Sequence, residues 1–491
     1  MMTYQDFLSE TASSGKPAAI ARAIYEHETG ADYKTAVIAD AYDRQQNTTI
    51  TEFVPKLFTS TGAKVDNFVA SNNRKPSNFF NLLNTQRNSF LLGNGIGFAS
   101  AKGTVSKNAT VAMQSVDTTK KRLGQRFDSD LLNAGYYALI HGVSFCFWNY
   151  DRMHVFKLTE FAPLWDEETG QLRAGVRYWC IDRGNKPVIA VLYEENGLTR
   201  YKSKGNSASD FEPVNPSRTE PEPYRTTYSR APADTDAQVI AEENYSALPI
   251  VPLYGSRLKQ STLVGMRENI DSYDIIANGW CNDMRDVSQI YWILENYGGM
   301  NDADLARFRD RLITMHVAVA DTSAEGAIKP YAQEIPYQSR KELLQTLKDD
   351  IYRDFGGLDT QAMSGGNMTA TAIKAAYEAL NQKADDFEMQ VIDCVQGILR
   401  LMGIDDTPVF KRSMLVNETE QIQAVMLEQT VLDTQTLLQK LPNITQDEVL
   451  GIMQRLYEEG QSRYTFDTKR PKTGDDDDDD DMENDGNEDE A

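Results

Sequence analysis

At 491 residues and 55.2 kDa the chain is long enough for two or three hydrophobic cores, and it carries 73 acidic against 50 basic side chains, a formal net charge of -23. A hydrophobic share of 41% and a mean hydropathy of -0.51 exclude a lipid-facing or wholly disordered chain, and the longest apolar run, Tyr136 to Trp148, contains His141 and falls short of the ~20 residues needed to cross a bilayer. Twelve of the acids lie between Asp475 and Ala491; without them the body carries an ordinary -11, so body and tail need separate explanations.

The first 75 residues alternate short helical patterns with polar breaks and read as a peripheral N-terminal segment; they show no basic stretch followed by an apolar core, so no secretory signal is read and synthesis in a reducing cytoplasm is expected. From Pro76 to Leu92, Phe79, Phe80, Leu83, Arg87, Phe90 and Leu91 recur at helical spacing until Gly93 and Gly95 stop the pattern. A second helix, Asp117 to His141, ends at Gly142 and leads into a strand-like run, Val143 to Asn149. From His154 to Tyr201 the period becomes two, with turns at Glu168 to Gln171 and at Asn196-Gly197, as in β-hairpins. Residues 205–238 hold five prolines and few aliphatics and read as a long exposed loop. A helix is expected from Thr262 to Ser288. It is followed by an α/β piece: a strand Ile290–Leu294, a helix Asp302–Leu312 and a strand Met315–Val319. A returning helix, Ser339 to Phe355, would bury Leu343, Leu344, Leu347, Ile351 and Phe355. After a glycine-rich break the longest helix runs from Thr369 to Met402, with Tyr377, Leu380, Phe387, Val391, Val395 and Ile398 on one face. Two capping-box signals, Asn417 with Glu420 and Thr445 with Glu448, open further helices. The fold class is therefore α+β, mainly helical. The tail, 471–491, is too like-charged and too poor in hydrophobes to fold.

Catalytic patterns are missing from this order. Gly15-Lys16-Pro17 is only a fragment of a phosphate-binding loop, and Gly93-Asn94-Gly95-Ile96-Gly97 ends a helix where a dinucleotide loop would open one. His27, His141, His154 and His316 stand in no metal-ligand or triad setting. Cys146, Cys180, Cys281 and Cys394 lie far apart and are expected as four buried apolar thiols. Neither an enzyme nor a cofactor or metal is expected.

Four stretches in fixed order resemble the portal (head-tail connector) proteins of tailed double-stranded DNA phages, in the family with an acidic C-terminus: Asn78 to Gly97; Asn133 to Asp151 with the hairpin Phe161 to Tyr178; Leu248 to Trp292, with Glu268 to Asp274 and Cys281-Asn282-Asp283; and Gly365 to Thr369 running into Ala372-Ile373-Lys374. The resemblance spans Pro76 to Tyr457, and the proline-rich loop departs from it. It implies an elongated subunit with a wing (76–261), stem helices (262–289 and 339–355), a clip (290–338), a tunnel loop (356–368), a long channel helix (369–403) and a crown (404–470). Such subunits form a homo-oligomeric ring, usually of twelve, at one capsid vertex of the virion, through which double-stranded DNA is packaged and later ejected. The implied partners are the terminase large subunit, head-completion and tail adaptor proteins, and the major capsid and scaffolding proteins, with no membrane. In the tunnel loop the resemblance directs Asp359, Thr360, Gln361, Ser364, Gly365, Gly366, Asn367 and Met368 at DNA; in the clip it gives Tyr297, Asn301, Asp302, Arg307, Arg309, Glu325 and Lys329 to motor and adaptor docking. Physically, an acidic wall suits a conduit, because each phosphate neutralised by Lys or Arg adds an attraction that must be broken at every step. The other reading of the residues is an acidic helical adaptor or scaffold without a channel.

Overall fold

The computed structural model describes residues 2–58, 63–66, 71–99, 119–182, 184–218, 220–229, 238–287, 291–294, 307, 328–331, 337–360, 370–413, 422, 425–430, 432–441, 444 and 446–467. The chain divides into two units, Met1–Leu415 and Val416–Ala491.

The N-terminus is not peripheral. Helix α1 (Tyr4–Ser14) opens with a capping box between Thr3 and Asp6, and α2 (Lys16–Thr29) follows with Pro17 in its first turn. Phe7, Ala19, Ile20, Ala23 and Ile24 are buried against Leu164, Val176, Ala190 and Leu192 of a sheet described below. Helix α3 (Ala31–Asp43) sends Ala36 into a second cluster and Ala39 and Tyr42 into a third. A small hairpin, β1 (Lys56–Phe58) with β2 (Lys64–Asp66), comes next.

Helix α4 (Phe79–Leu92) starts after Asn78, so Pro76 lies outside it, in the segment 71–78, whose backbone is bonded elsewhere. It hands over to β3 (Ile96–Ala99). The expected helix 117–141 is interrupted at Gly124, and its main part is α5 (Phe127–His141). Strands β4 (Val143–Asn149) and β5 (Arg152–Lys157) form a hairpin. Strands β6 (Phe161–Trp165), β7 (Leu172–Cys180), β8 (Val188–Glu194), β9 (Gly197–Ser203) and β10 (Phe211–Pro213) form an antiparallel meander in the order β10-β9-β8-β7-β6, turned where Asn196-Gly197 predicts. The proline-rich stretch is thus not all loop: it supplies the edge strand β10, where Pro213 is tolerated, and β11 (Arg225–Ser229), which pairs with β12 (Gln238–Glu243). Strand β13 (Ile250–Tyr254) joins the other side of β4, giving the order β13-β4-β5.

The remaining elements of this unit are α6 (Arg267–Val287), the antiparallel pair β14 (Tyr291–Leu294) and β15 (Ile328–Tyr331), α7 (Tyr337–Phe355), α8 (Ala370–Leu401) and β16 (Thr407–Phe410). Phe387, Val391, Val395 and Ile398 of α8 pack on Leu131, Ala134 and Ala138 of α5 and Trp148 of β4, the stripe expected from the sequence. Strand β16, placed with the crown by the sequence, pairs instead with β3 and belongs to the first unit. Of the cysteines, Cys146 and Cys394 are buried, whereas Cys180 and Cys281 are exposed at the end of β7 and on α6, against the expectation of four buried thiols. The second unit contains α9 (Thr434–Lys440), capped by Asp433, and α10 (Gln446–Asp467). Among the described residues no helix is long and apolar enough to cross a membrane.

Candidate functional site

Two helices, α6 and α7, run antiparallel: Asn269 Nδ2 donates to Asp354 Oδ2 (3.1 Å) near one end, while near the other Arg340 pairs with Asp283 and Trp280 meets the Tyr337 ring edge-on at 5.4 Å. At the first end Ile270, Ile351 and Phe355 are buried with Tyr42, Phe80, Leu83 and Ile140. Toward the other, the β14–β15 pair lies between the two helices in sequence, and apolar side chains are left uncovered: Met284 is 59% exposed and Leu343 46%. Only Ile351 and Phe355 of the five residues expected to be buried on α7 are so, because the helix reaches the core only in its last two turns.

The core end of α6 is fastened by polar side chains at helical spacing. Asp271 accepts from the hydroxyls of Tyr42 and Thr49; Asp274 accepts from Asn47 Nδ2 and from the Ser77 N–H (3.0 Å). Asn278 accepts from the Lys75 N–H (2.8 Å) and donates back to the Lys75 carbonyl (2.9 Å), and Asn282 accepts from the Asn73 N–H (2.7 Å). This row satisfies the backbone of 73–77, which has no sheet or helix to bond to. Asp274 is 1% exposed, and burial pushes its carboxyl above the usual carboxylate range, against the pull of the Asn47 and Ser77 hydrogen bonds.

Where α7 ends, the chain turns into the expected tunnel loop through a fixed base. The Gly356 N–H donates to the Arg353 carbonyl (3.1 Å) and the Gly357 N–H to the Tyr352 carbonyl (2.8 Å), with Gly356 at φ +71°. Gln86 of α4 then takes both backbone groups of Leu358, donating to its carbonyl (2.9 Å) and accepting from its N–H (2.8 Å). Arg87 donates to the Phe355 carbonyl with its guanidinium 4.1 Å over the Phe355 ring, and burial lowers it to about 10. Leu358 is buried with Phe90, Tyr377 and Leu380. Asp359 pairs with Lys348 of α7 at 2.7 Å, a bond that holds the Lys348 amine above its usual value.

Of the expected tunnel-loop residues, Asp359 is therefore held by an ion pair and Thr360 is exposed; Gln361, Ser364, Gly365, Gly366, Asn367 and Met368 lie outside the described residues. In the clip, Arg307 is helical and exposed, and Lys329 stands opposite Ile293 in the β14–β15 ladder. Tyr297, Asn301, Asp302, Arg309 and Glu325, with the strand expected at Met315–Val319, lie outside the described residues. Gln86, Arg87 and Lys348 were not singled out from the sequence. The one signal was Arg87, a cation at an apolar position of the α4 stripe. Three of the four cations of α7 are engaged by carboxylates, Arg340 by Asp283, Lys348 by Asp359 and Arg353 by Asp350 and Asp354; the fourth, Lys341, is exposed. Among the described residues no group of His, Cys, Asp and Glu could hold a metal ion.

Residues 24–463 match the family "Phage portal protein, SPP1 Gp6-like". The portal protein of Clostridium phage phiCD119 is 26% identical over 212 residues, covering 42% of this chain and 47% of the relative. That of Bacillus phage SPP1 is 24% identical over 222 residues, covering 42% of this chain and 43% of the relative, so the matches span somewhat under half the length of either. Among solved structures, the neck of an empty GTA particle computed with C6 symmetry matches with a TM-score of 0.37 at 9% identity, over 73% of this chain and 87% of the other. The neck of a native GTA particle computed with C12 symmetry matches at 0.36 and 11%, over 90% and 95%.

Proposed function

Since the chain belongs to the SPP1 Gp6-like family of phage portal proteins, we propose that it is the subunit of a twelve-membered ring at one capsid vertex, a non-enzymatic channel through which double-stranded DNA is packaged and later ejected. In this reading α6 and α7 are the stem, and the segment around β14 and β15 docks the terminase large subunit and later the head-completion and adaptor proteins. Residues 356–368 form the tunnel loop, and the protein is a virion component.

The observation that carries the reading is the two-sided stem. On α6, Ile275 (44% exposed) and Met284 (59%) are nine residues apart, about two and a half turns, and so lie on opposite faces. A subunit in a ring has two different neighbours and needs two different contact surfaces, which a helix exposing apolar side chains on both sides supplies. Three of the four α7 cations are also engaged by carboxylates, which weakens that helix as a surface for gripping DNA. A duplex passing such a wall meets few cations to release counterions against, and slides.

Electron microscopy of the purified full-length protein should show rings with a central hole. Ile275→Asp and Met284→Asp should each abolish them while leaving the far-UV circular dichroism of the subunit unchanged. Compact monomers at every concentration, or rings indifferent to both substitutions, would overturn the ring. Replacing 356–368 by a Gly/Ser segment of equal length should leave rings intact and stop DNA packaging; normal DNA filling would instead favour an acidic adaptor without a channel.

A further inference from the structure

Far from the stem in sequence, a cleft of about 340 Å³ runs beside β5. All six β5 residues, 152–157, line it. Successive residues of a strand point to opposite faces, so a cleft touched by six in a row follows the strand's edge and not one of its faces. This matches the sheet order, in which β5 is outermost and β4 is its one strand neighbour among the described residues; the Lys157 N–H donates to Glu160 Oε1 (3.2 Å), so the edge left for pairing is 152–156. One wall is a single face of α5, bearing Asp130, Asn133 and Tyr137; the other is Arg177 of β7.

The cleft is cationic in a protein of net charge -23. Arg152 is matched by Asp130, through bonds of 3.2 and 3.3 Å. Lys157 places its ammonium 4.3 Å over the Tyr137 ring, in no ion pair among the described residues, although its charge also acts on the Asp40 carboxyl. Arg177 stacks 4.3 Å over the Phe156 ring, with Glu160 no nearer than 3.9 Å and its buried Nε without a hydrogen-bond partner among the described residues. His154, between them, is held below its usual value by burial and then by Arg152 and Arg177, which reports the same positive potential.

We propose that the open edge of β5 takes an extended, acidic segment of a partner protein as an added strand, with its carboxylates on Lys157 and Arg177. The edge itself selects a peptide. An unpaired strand edge presents N–H donors and carbonyl acceptors in alternation, and a peptide strand satisfies both. A nucleic-acid backbone brings phosphate acceptors only and would leave the carbonyls unpaired. The chain's own run Asp475 to Asp481 has the charge but no β-branched or aromatic residue, and is a poor strand former. The proposal is independent of the portal reading, since it uses neither stem nor tunnel loop.

The test is fluorescence anisotropy with full-length protein and a labelled decapeptide of alternating Glu and Val. Saturable binding is expected, lost in the Lys/Val counterpart and weakened at least tenfold by Lys157→Glu combined with Arg177→Gln, with the thermal unfolding of that variant measured alongside. Two further peptides carry N-methyl groups on one or the other alternate set of residues. Strand addition requires that one set weaken binding at least tenfold and the other leave it unchanged, a comparison made on unmodified protein and so untouched by any folding defect. Absence of saturable binding, equal behaviour of the two methylated peptides, or equal displacement by oligothymidylate or by a heptamer of aspartate would each overturn the proposal.

Discussion

Replacing Gly356 by alanine tests whether the base of the expected tunnel loop is a fixed structure. Gly356 sits at φ +71°, where a side chain costs about 1–2 kcal/mol through its own backbone. The added Cβ would also lie 3.1 Å from the Ala379 carbonyl oxygen and 3.0 Å from Lys383 Cγ, both on α8. The lysine can swing away, but the carbonyl is part of a helix and cannot, so α7 and α8 must part slightly, at roughly 1 kcal/mol more. Gly403 supplies the comparison: it has φ +69° and nothing within 4 Å of its would-be Cβ, and should suffer the backbone cost only. Gly356→Ala should therefore lose about 2–3 kcal/mol locally and Gly403→Ala about 1–2 kcal/mol.

The readout is native-state hydrogen exchange at the Leu358 amide, which donates to Gln86 Oε1 at 2.8 Å and is exposed to exchange only when the loop base opens. At tenfold for each ~1.4 kcal/mol, Gly356→Ala should speed its exchange by about thirtyfold or more, and Gly403→Ala should leave it unchanged. Urea unfolding at fixed protein concentration should show the first variant to be the less stable. Unaltered protection at Leu358, or equal losses in the two variants, would refute the picture of a loop base clamped between α4 and α8.

Asp274→Ala strands the Asn47 amide and the Ser77 N–H in the interior and should cost about 3 kcal/mol, from ~1–3 for each buried donor left unpaired. Asp274→Asn should cost about a third of that by the same scale, because Asn47 Oδ1 has no partner among the described residues and can turn to accept from the new amide; equal urea midpoints for the two variants would contradict this. At Asp40, burial raises the carboxyl but the hydrogen bond and charge of His141, with Lys157 and Arg44, bring it below its ordinary value. A depressed carboxyl contributes stability above the unfolded value near 4 and loses it as pH falls through the folded one. The difference in urea midpoint between the unmodified protein and Asp40→Asn should therefore shrink as pH is lowered from 6 to below 4, and a constant difference would count against the His141–Asp40 pair.

What the sequence made legible follows from the range of the interactions. The stripe of α8, from Tyr377 to Ile398, and the β-meander with its Asn196-Gly197 turn are set by neighbours a few residues away, and both were placed correctly. The N-terminal cover was missed because four of its buried positions are alanines, Ala19, Ala23, Ala36 and Ala39, which carry little periodic signal. The polar row on α6 and the clamp on Leu358 were hidden for another reason: Asp274 meets Asn47, and Leu358 meets Gln86, each more than two hundred residues away in the chain. A buried aspartate and a surface aspartate are the same letter until the fold brings their partners. On α7 the periodicity of Leu343, Leu344 and Leu347 was real, but periodicity says only that a face is apolar, not whether the subunit's own core covers it.

Helix α4 joins the α6–α7 pair to the segment that follows α7. Its Phe80 and Leu83 pack with Ile270 of α6 and Ile351 of α7, its Gln86 and Arg87 hold the loop base, and its Phe90 stacks on Tyr377 of α8 at 5.8 Å. The contact with α6 and α7 is apolar packing reinforced on α6 by buried, directional polar bonds, an arrangement that breaks only with the core around it. The loop contact combines the Gln86 carboxamide on both backbone groups of Leu358, Arg87 on the Phe355 carbonyl, and burial of Leu358 beside Phe90 and Tyr377. The expected tunnel loop is thereby tied at its base to the same helix that packs on α6 and α7.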